Sequence, residues 1–143
     1  MSVEKINAKN APKPMGLYPH AKRVGNLLFL SGVGPRAAKS GSEEANIPGL
    51  KYDNNGNYET FDFEAQCHSV FQNIKAILEE SGSSWDNIVD VTTFLTDMKR
   101  DFKTYNRVYA EYFKDNQPCR TTVEVGALPS PIAIELKCIA TID

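Results

Sequence analysis

The chain has 143 residues, of which 41% are hydrophobic and 24% are charged, and its formal net charge is -2. These values are typical of a folded globular protein, so we expect one domain over residues 1–143. The basic residues are scattered, which argues against a nucleic-acid partner, and no apolar run approaches the roughly 20 residues that cross a membrane. Because residues 1–14 also lack the apolar stretch of a secretory signal, we expect a cytoplasmic protein.

Three cysteines and two histidines limit the metal and redox chemistry that the chain can carry. Cys67, Cys119 and Cys138 are odd in number and form no CxxC pair, so we expect reduced thiols and no structural zinc site. Two histidines, His20 and His68, do not suffice for a histidine-rich metal site. No glycine-rich phosphate loop and no pyridoxal phosphate motif occurs. We therefore expect no metal and no organic cofactor.

The first predicted element is a short buried strand over Leu27–Leu30, which ends at a Ser-Gly turn. Residues 33–58 are rich in Gly, Pro and Asn, which predicts a long exposed loop that can contain a hairpin. A helix follows, because apolar residues recur at three- and four-residue spacing from Cys67 to Leu78. Asp62 or Thr60 is predicted to cap its start.

The second half of the chain alternates strand and helix patterns. Residues 88–96 are rich in β-branched side chains, which favour a strand. Asp101 is predicted to cap a second helix that buries a stripe of Phe, Tyr and Val side chains and ends before Pro118. Residues 120–125 and 132–142 form two final strands. This order predicts an α+β fold in which two helices cover one face of a mixed sheet.

Strand pleating predicts which side chains share a face. Ile132 and every second residue after it form the core face of the last strand, so Glu135 and Lys137 must lie on the opposite face. That face also carries Ala133 and Ile139, an apolar choice for a surface in water. We therefore expect it to be buried against another subunit.

Composition and spacing leave the chemistry open. Arg120 begins a strand, where its guanidinium can bind a carboxylate with two hydrogen bonds or form an ordinary surface salt bridge. Cys119 beside it can be an activated thiolate or a small apolar residue. His20 precedes the first strand and is a candidate general base.

Several segments resemble the Rid/YjgF family of imine deaminases. The C-terminal signature includes RTTVEV at 120–125 and IELKCIA at 134–140, with Leu-Pro at 128–129 between them. Further similarity is carried by GLY at 16–18, FLSG at 29–32, NIKAIL at 73–78, DVTTFL at 90–95 and NRVY at 106–109. The resemblance spans nearly the whole chain in the family's order.

The resemblance implies a chorismate-mutase-like α+β domain that assembles as a homotrimer or hexamer, with sites at the subunit clefts. It implies cofactor-independent hydrolysis of enamines or imines on a small carboxylate substrate. Catalytic roles would fall on Arg120 for the carboxylate, Glu135 for the water and Tyr18 beside the substrate. The implied binding residues are Ser31, Gly32, Asn106, Thr122 and His20.

Some positions depart from the family pattern. Thr122 stands where the family often has cysteine, His20 follows an altered Gly-Leu-Tyr-Pro segment, and Lys137 replaces a common acidic residue. The long loop and the segment at 19–23 resemble the 2-aminomuconate deaminases of aromatic degradation, which release ammonia to give 4-oxalocrotonate. A distal carboxylate would then need a second cation. The candidates are His20, Lys22, Arg23 and Arg36.

Three functions remain open on the sequence. The first is a dedicated 2-aminomuconate deaminase, and the second is a broad deaminase of 2-aminoacrylate and related 2-imino acids. The third is a non-catalytic member that binds small acids or protein partners.

Overall fold

The computed structural model describes residues 2–37, 47–129 and 132–143. It contains a six-stranded sheet, a small hairpin and two long helices, which confirms the predicted α+β architecture. The helices are α1 (Phe63–Glu80) and α2 (Met98–Phe113), with a short 3-10 turn at Trp85–Asn87. The strands are β1 (Val3–Ile6), β2 (Ala21–Val24), β3 (Leu27–Leu30), β4 (Lys51–Tyr52), β5 (Tyr58–Thr60), β6 (Ile88–Leu95), β7 (Cys119–Glu124) and β8 (Ile134–Thr141).

The main sheet has the strand order β1-β2-β3-β8-β6-β7. Only β6 and β7 run parallel, and all other neighbours are antiparallel, so the sheet is mixed as expected. Strand β8 lies in the middle and pairs with β3 on one side and β6 on the other. Strand β7 forms an edge, which places Arg120 at the margin of the sheet.

Both helices pack on one face of this sheet and bury a continuous apolar core. The core face of β8 is confirmed, because Ile134, Leu136, Cys138 and Ala140 are all buried. The apolar stripe of α1 is also confirmed. We refer to this side as the helix face and to the other side as the open face.

Both helices begin at an aspartate cap. Asp62 accepts a hydrogen bond from Ala65 N at 3.1 Å, which confirms it as the cap of α1. The predicted cap of α2 was wrong. Asp97 caps α2 by accepting from Arg100 N at 3.0 Å, whereas Asp101 is buried inside the first turn and paired with Arg100.

Strands β1 and β2 were not predicted from the sequence. They form antiparallel pairs that extend the sheet beyond β3. Gly25 joins β2 to β3 with a φ of 61°, and Asn26 has a negative φ, which matches a two-residue type II′ hairpin turn. The predicted long loop contains the β4–β5 hairpin, while residues 38–46, 130 and 131 lie outside the described residues.

Ala133 corrects the expectation for the open face. It is only 2% exposed within one chain, and its N–H donates to Gln66 Oε1 at 2.9 Å. Strand alternation starts at Ile134, so it does not extend back to Ala133. In the described part of the chain, no helix is long and apolar enough to cross a membrane.

Candidate active site

The predicted site residues form two groups that lie on different faces of the sheet. We call Arg120, Asn106 and Thr122, with the rings of Phe102, Tyr105 and Tyr109, the arginine cluster. We call Glu135, Ser31, Gly32, Lys137 and Tyr18 the glutamate cluster.

The arginine cluster is built between α2 and the edge strand β7. Arg120 pairs in register with the buried Val91, so its side chain lies on the helix face. Its Nη1 donates to Asn106 Oδ1 at 2.8 Å. The guanidinium carbon lies 4.7 Å from the Tyr109 ring centroid and 5.4 Å from that of Tyr105. These contacts fix one side of the guanidinium and leave its remaining donors for an anion.

The polar groups around Arg120 are only partly satisfied. The Tyr109 hydroxyl and Thr122 Oγ1 are buried and have no hydrogen-bond partner among the described residues. By contrast, the Tyr105 hydroxyl lies 2.5 Å from Thr93 Oγ1. Burial raises the pKa of Tyr109 to about 12, although Arg120 opposes this shift, so the Tyr109 hydroxyl stays protonated. A buried hydroxyl without a protein partner is expected where a ligand or a water molecule provides the missing hydrogen bond.

The glutamate cluster lies where β3 ends beside β8. Glu135 pairs in register with Phe94 rather than with a core residue, which places it on the open face as predicted. A Cβ on Gly32 would lie 2.5 Å from Glu135 Oε2, so the absence of a side chain at Gly32 makes room for the carboxylate. No described residue donates a hydrogen bond to this carboxylate. Burial raises the pKa of Glu135, and Lys137 partly offsets the rise.

Ser31 and Tyr18 lie beside a cleft that reaches Gly32. The Ser31 hydroxyl donates to the Pro19 carbonyl at 2.7 Å, which ties the segment before β2 to the end of β3. Tyr18 is 46% exposed, and its hydroxyl accepts from Met15 N at 3.3 Å. Both residues line a small open cleft, together with Gly32 and Arg36.

His20 is held by the backbone. Its Nδ1 accepts from Ala8 N at 2.8 Å, and its Nε2 lies 2.7 Å from the Pro12 carbonyl. An amide can only donate and a carbonyl can only accept, so the ring is the neutral Nε2–H tautomer. The general-base and substrate-binding hypotheses for His20 would therefore require one of these bonds to break.

Other reactive groups are placed away from this chemistry or lack a partner. Burial raises the pKa of both Cys67 and Cys138 to about 12, which makes their thiols unreactive at neutral pH. Cys119 is exposed and free. Among residues 2–37, 47–129 and 132–143, no group of three His, Cys, Asp or Glu side chains could hold a metal ion.

Two residues near the glutamate cluster were missed as site residues. Strand alternation predicted that Lys137 shares the open face with Glu135, but no sequence signal assigned it a role in the site. Arg36 was only one of four candidate cations, and no local sequence signal places it in the cleft with Tyr18.

The fold and the two clusters define a small α+β protein with an arginine held against aromatic rings and a half-buried glutamate. A family model described as endoribonuclease L-PSP matches residues 8–142. The chain therefore belongs to this family, the Rid/YjgF family.

Known relatives agree with that assignment. A RutC family protein of Pyrococcus horikoshii is 41% identical over 137 residues, which cover 96% of each chain. The chloroplastic Reactive Intermediate Deaminase A of Arabidopsis thaliana is 36% identical over 97% of this chain and 66% of its own. The crystal structure of E. coli TdcF with bound serine has a TM-score of 0.81 at 29% identity, covering 98% of this chain and 99% of that one.

Proposed function

We propose that the chain is a deaminase that hydrolyses the C=N bond of 2-imino acids and their enamine tautomers. Water adds to the imine carbon, the C–N bond breaks, and the products are a 2-oxo acid and ammonia. The main supporting observation is the Arg120 guanidinium, which stacks over the Tyr109 ring and donates to Asn106 while its other N–H donors stay free for a carboxylate. The name of the plant relative and the serine bound to TdcF support an amino-acid-like substrate.

Glu135 is the proposed base. Its carboxylate accepts no hydrogen bond from the described residues, so its oxygens are available to bind a water and take its proton. Arg120 would fix the substrate carboxylate and stabilise the negative charge that develops during water addition. Tyr18, at the cleft rim, would lie beside the substrate.

The two residues cannot meet within one chain, and this is the main support for a shared site. Arg120 and Glu135 lie on opposite faces, and their strands are separated by β6. Two strand spacings amount to roughly 10 Å, to which the thickness of the sheet is added. We propose that a second chain supplies the missing half, in a homotrimer with three shared sites. The half-exposed apolar side chains Leu27, Phe29 and Val123 on or near the open face would be buried there.

A complementation experiment tests function and assembly together. Arg120→Ala and Glu135→Gln chains are each expected to be inactive in ammonia release from freshly generated 2-iminobutyrate. In a random one-to-one mixture of co-expressed chains, about a quarter of shared sites would combine both intact residues. We therefore expect about a quarter of wild-type activity, whereas sites made within one chain would give none. Activity absent from the wild type would support the non-catalytic alternative.

Hydrolysis of 2-aminomuconate is a second candidate, favoured by the position of Arg36. Ser69 donates to the Pro35 carbonyl at 2.6 Å, and Asn73 donates to the carbonyls of Gly34 and Arg36 at 3.0 and 2.6 Å. These bonds fix the backbone of Arg36, whose Nη2 donates to the Lys13 carbonyl at 3.1 Å. A fixed guanidinium in the cleft can bind the distal carboxylate of a dicarboxylate.

Arg36→Gln distinguishes the two substrates. The change should raise KM for 2-aminomuconate and leave 2-iminobutyrate hydrolysis nearly unchanged. Arg23→Gln is the matched control, because Arg23 Nε donates to the Gly25 carbonyl at the β2–β3 turn. Equal effects of Arg36→Gln on both substrates would exclude a distal carboxylate site at this residue.

An RNA substrate is not favoured, although the family description names an endoribonuclease. The formal net charge is -2, and the basic residues are not concentrated in one stretch of sequence.

A further inference from the structure

Lys137 shares the open face with Glu135 and is its nearest neighbour on that face of β8. Residues two apart on a strand project to the same side, about 7 Å apart along the chain. No ion pair joins the two side chains within the described residues, so the glutamate oxygens remain open to water. The lysine therefore acts on the carboxylate through space.

The ammonium group of Lys137 is held at a fixed position. Its Nζ donates to the Leu30 carbonyl at 3.0 Å, across the β3–β8 junction. Leu30 directly precedes Ser31 and Gly32, and Gly32 is the residue whose missing Cβ makes room for Glu135. The same strand end thus holds the lysine and accommodates the glutamate.

Within one chain, the other elements around Glu135 bring no charge to it. On β6 its partner is Phe94, and the segment after β3 presents Ser31 and Gly32. The charged residues Asp90 and Lys22 lie farther along the sheet, in the register row of Ile139. Among the residues that the structure describes, Lys137 is the one charged group that acts on the Glu135 carboxylate, and it favours the ionised form.

We propose that Lys137 is a positioning residue of the deaminase reaction, whose fixed ammonium keeps the Glu135 carboxylate ionised in a partly desolvated site. This inference rests on the proposed function of Glu135 as base. Burial alone would leave a larger fraction of Glu135 protonated at a given pH, and a protonated carboxyl cannot take a proton from water. The lysine extends the working range of the base towards lower pH.

The pH dependence of kcat/KM for 2-iminobutyrate in Lys137→Gln tests the proposal. We expect the acid limb to move up by roughly half to one pH unit, because a partly exposed cation is lost, while the plateau at higher pH stays nearly unchanged. Lys137→Arg should keep the wild-type limb. Lys5→Gln, on strand β1, is the matched control, since it removes the same charge from an exposed position of the sheet without changing the neighbours of Glu135.

A carboxyl 13C NMR titration of Glu135 provides a readout that does not depend on turnover. Lys137→Gln should raise the midpoint of that titration, and Lys5→Gln should not. An unchanged midpoint and an unchanged acid limb in Lys137→Gln would overturn the role of Lys137. If wild type shows no deaminase activity, or if Glu135→Gln keeps the acid limb, the proposed function itself fails, whatever Lys137 does to the titration.

Discussion

Arg120 and Glu135 project from strands of one sheet, yet their surroundings differ in nearly every respect. Arg120 lies on the helix face, where aromatic rings and the Asn106 amide hold the guanidinium directly. Glu135 lies on the open face, where a glycine makes room for it and no described residue bonds its carboxylate. The arginine is rigidly placed, whereas the glutamate keeps its oxygens free.

This difference suits the two proposed tasks. A residue that binds a substrate carboxylate gains from being fixed in advance, because less conformational entropy is then lost on binding. A residue that accepts a proton from water needs unoccupied oxygens and a pKa above that of an ordinary glutamate. Burial supplies the second requirement at Glu135.

Arg120→Lys should produce the largest effect, and it tests whether the fixed guanidinium is needed for activity. Lysine keeps the charge but lacks the planar two-point grip and the ring stacking. We expect kcat/KM to fall by about 100- to 1000-fold, or about 3–4 kcal/mol, as measured by ammonia release. Arg23→Lys, on β2, should be nearly silent. Near-normal turnover in Arg120→Lys would mean that the carboxylate binds elsewhere.

Glu135→Gln tests whether the unbonded Glu135 carboxylate acts as the base. The amide keeps the size of the side chain but cannot take a proton, so kcat should fall by about 100-fold or more with substrate affinity nearly unchanged. The wild type should lose activity as the pH falls and the Glu135 carboxyl becomes protonated. Because burial raises the pKa of Glu135, this loss should begin at a higher pH than for an ordinary glutamate. The variant should lack this limb. Retention of both rate and limb would show that Glu135 is not the base.

Gly32→Ala asks whether the space beside Glu135 is functional. The new Cβ would lie 2.5 Å from Glu135 Oε2, so the flexible carboxylate must move. We expect activity to fall by roughly 10- to 100-fold, since small misplacements of a reacting group are costly, while the melting temperature changes little. Gly126→Ala is the control, because a Cβ there meets no atom within 4 Å. Equal activities of the two variants would contradict a role for the glycine.

Asp97→Ala should have the smallest effect and sharpens the comparison on the arginine side. It removes the cap of the helix that carries Asn106 and Tyr109, which should cost about 1 kcal/mol of unfolding free energy in urea. Activity should stay within about twofold, because the remaining turns of α2 are held by the core. Asp115→Ala, at an exposed position after α2, is expected to be neutral. A large activity loss in Asp97→Ala would mean that Arg120 depends on the helix start.

The elements with long apolar periodicity were predictable from sequence, and those with short or polar strands were not. Both helix stripes and the alternation of β8 follow directly from burial of one face. Strands β1 and β2 have four residues each, half of them charged, so the pairing of β2 with β3 and of β1 with β2 determines them rather than a local pattern. At α2, two aspartates stand one helical turn apart; Asp97 caps the helix, whereas the buried Asp101 lies inside it and pairs with the half-exposed Arg100.

The candidate site shows a similar division. The sequence signature and strand alternation could place Glu135 on the open face. The face of Arg120 could not be predicted, because β7 carries polar residues beneath the helices and Val123 on the exposed side. This placement of polar residues on the helix face of β7 arises from tertiary packing. The aromatic rings of α2 surround the Arg120 guanidinium and do not cover an apolar strand.

The two hydrogen bonds of His20 make the N-terminal segment accessible to spectroscopy. The Nε2 proton is donated to the Pro12 carbonyl, so its exchange with deuterium requires this bond to open. Nitrogen-15 spectra of the ring would identify the tautomer, and the exchange rate of its proton would report the local opening free energy of residues 8–12. One imidazole thus serves as an intrinsic probe of how tightly the chain covers the cleft beside Tyr18.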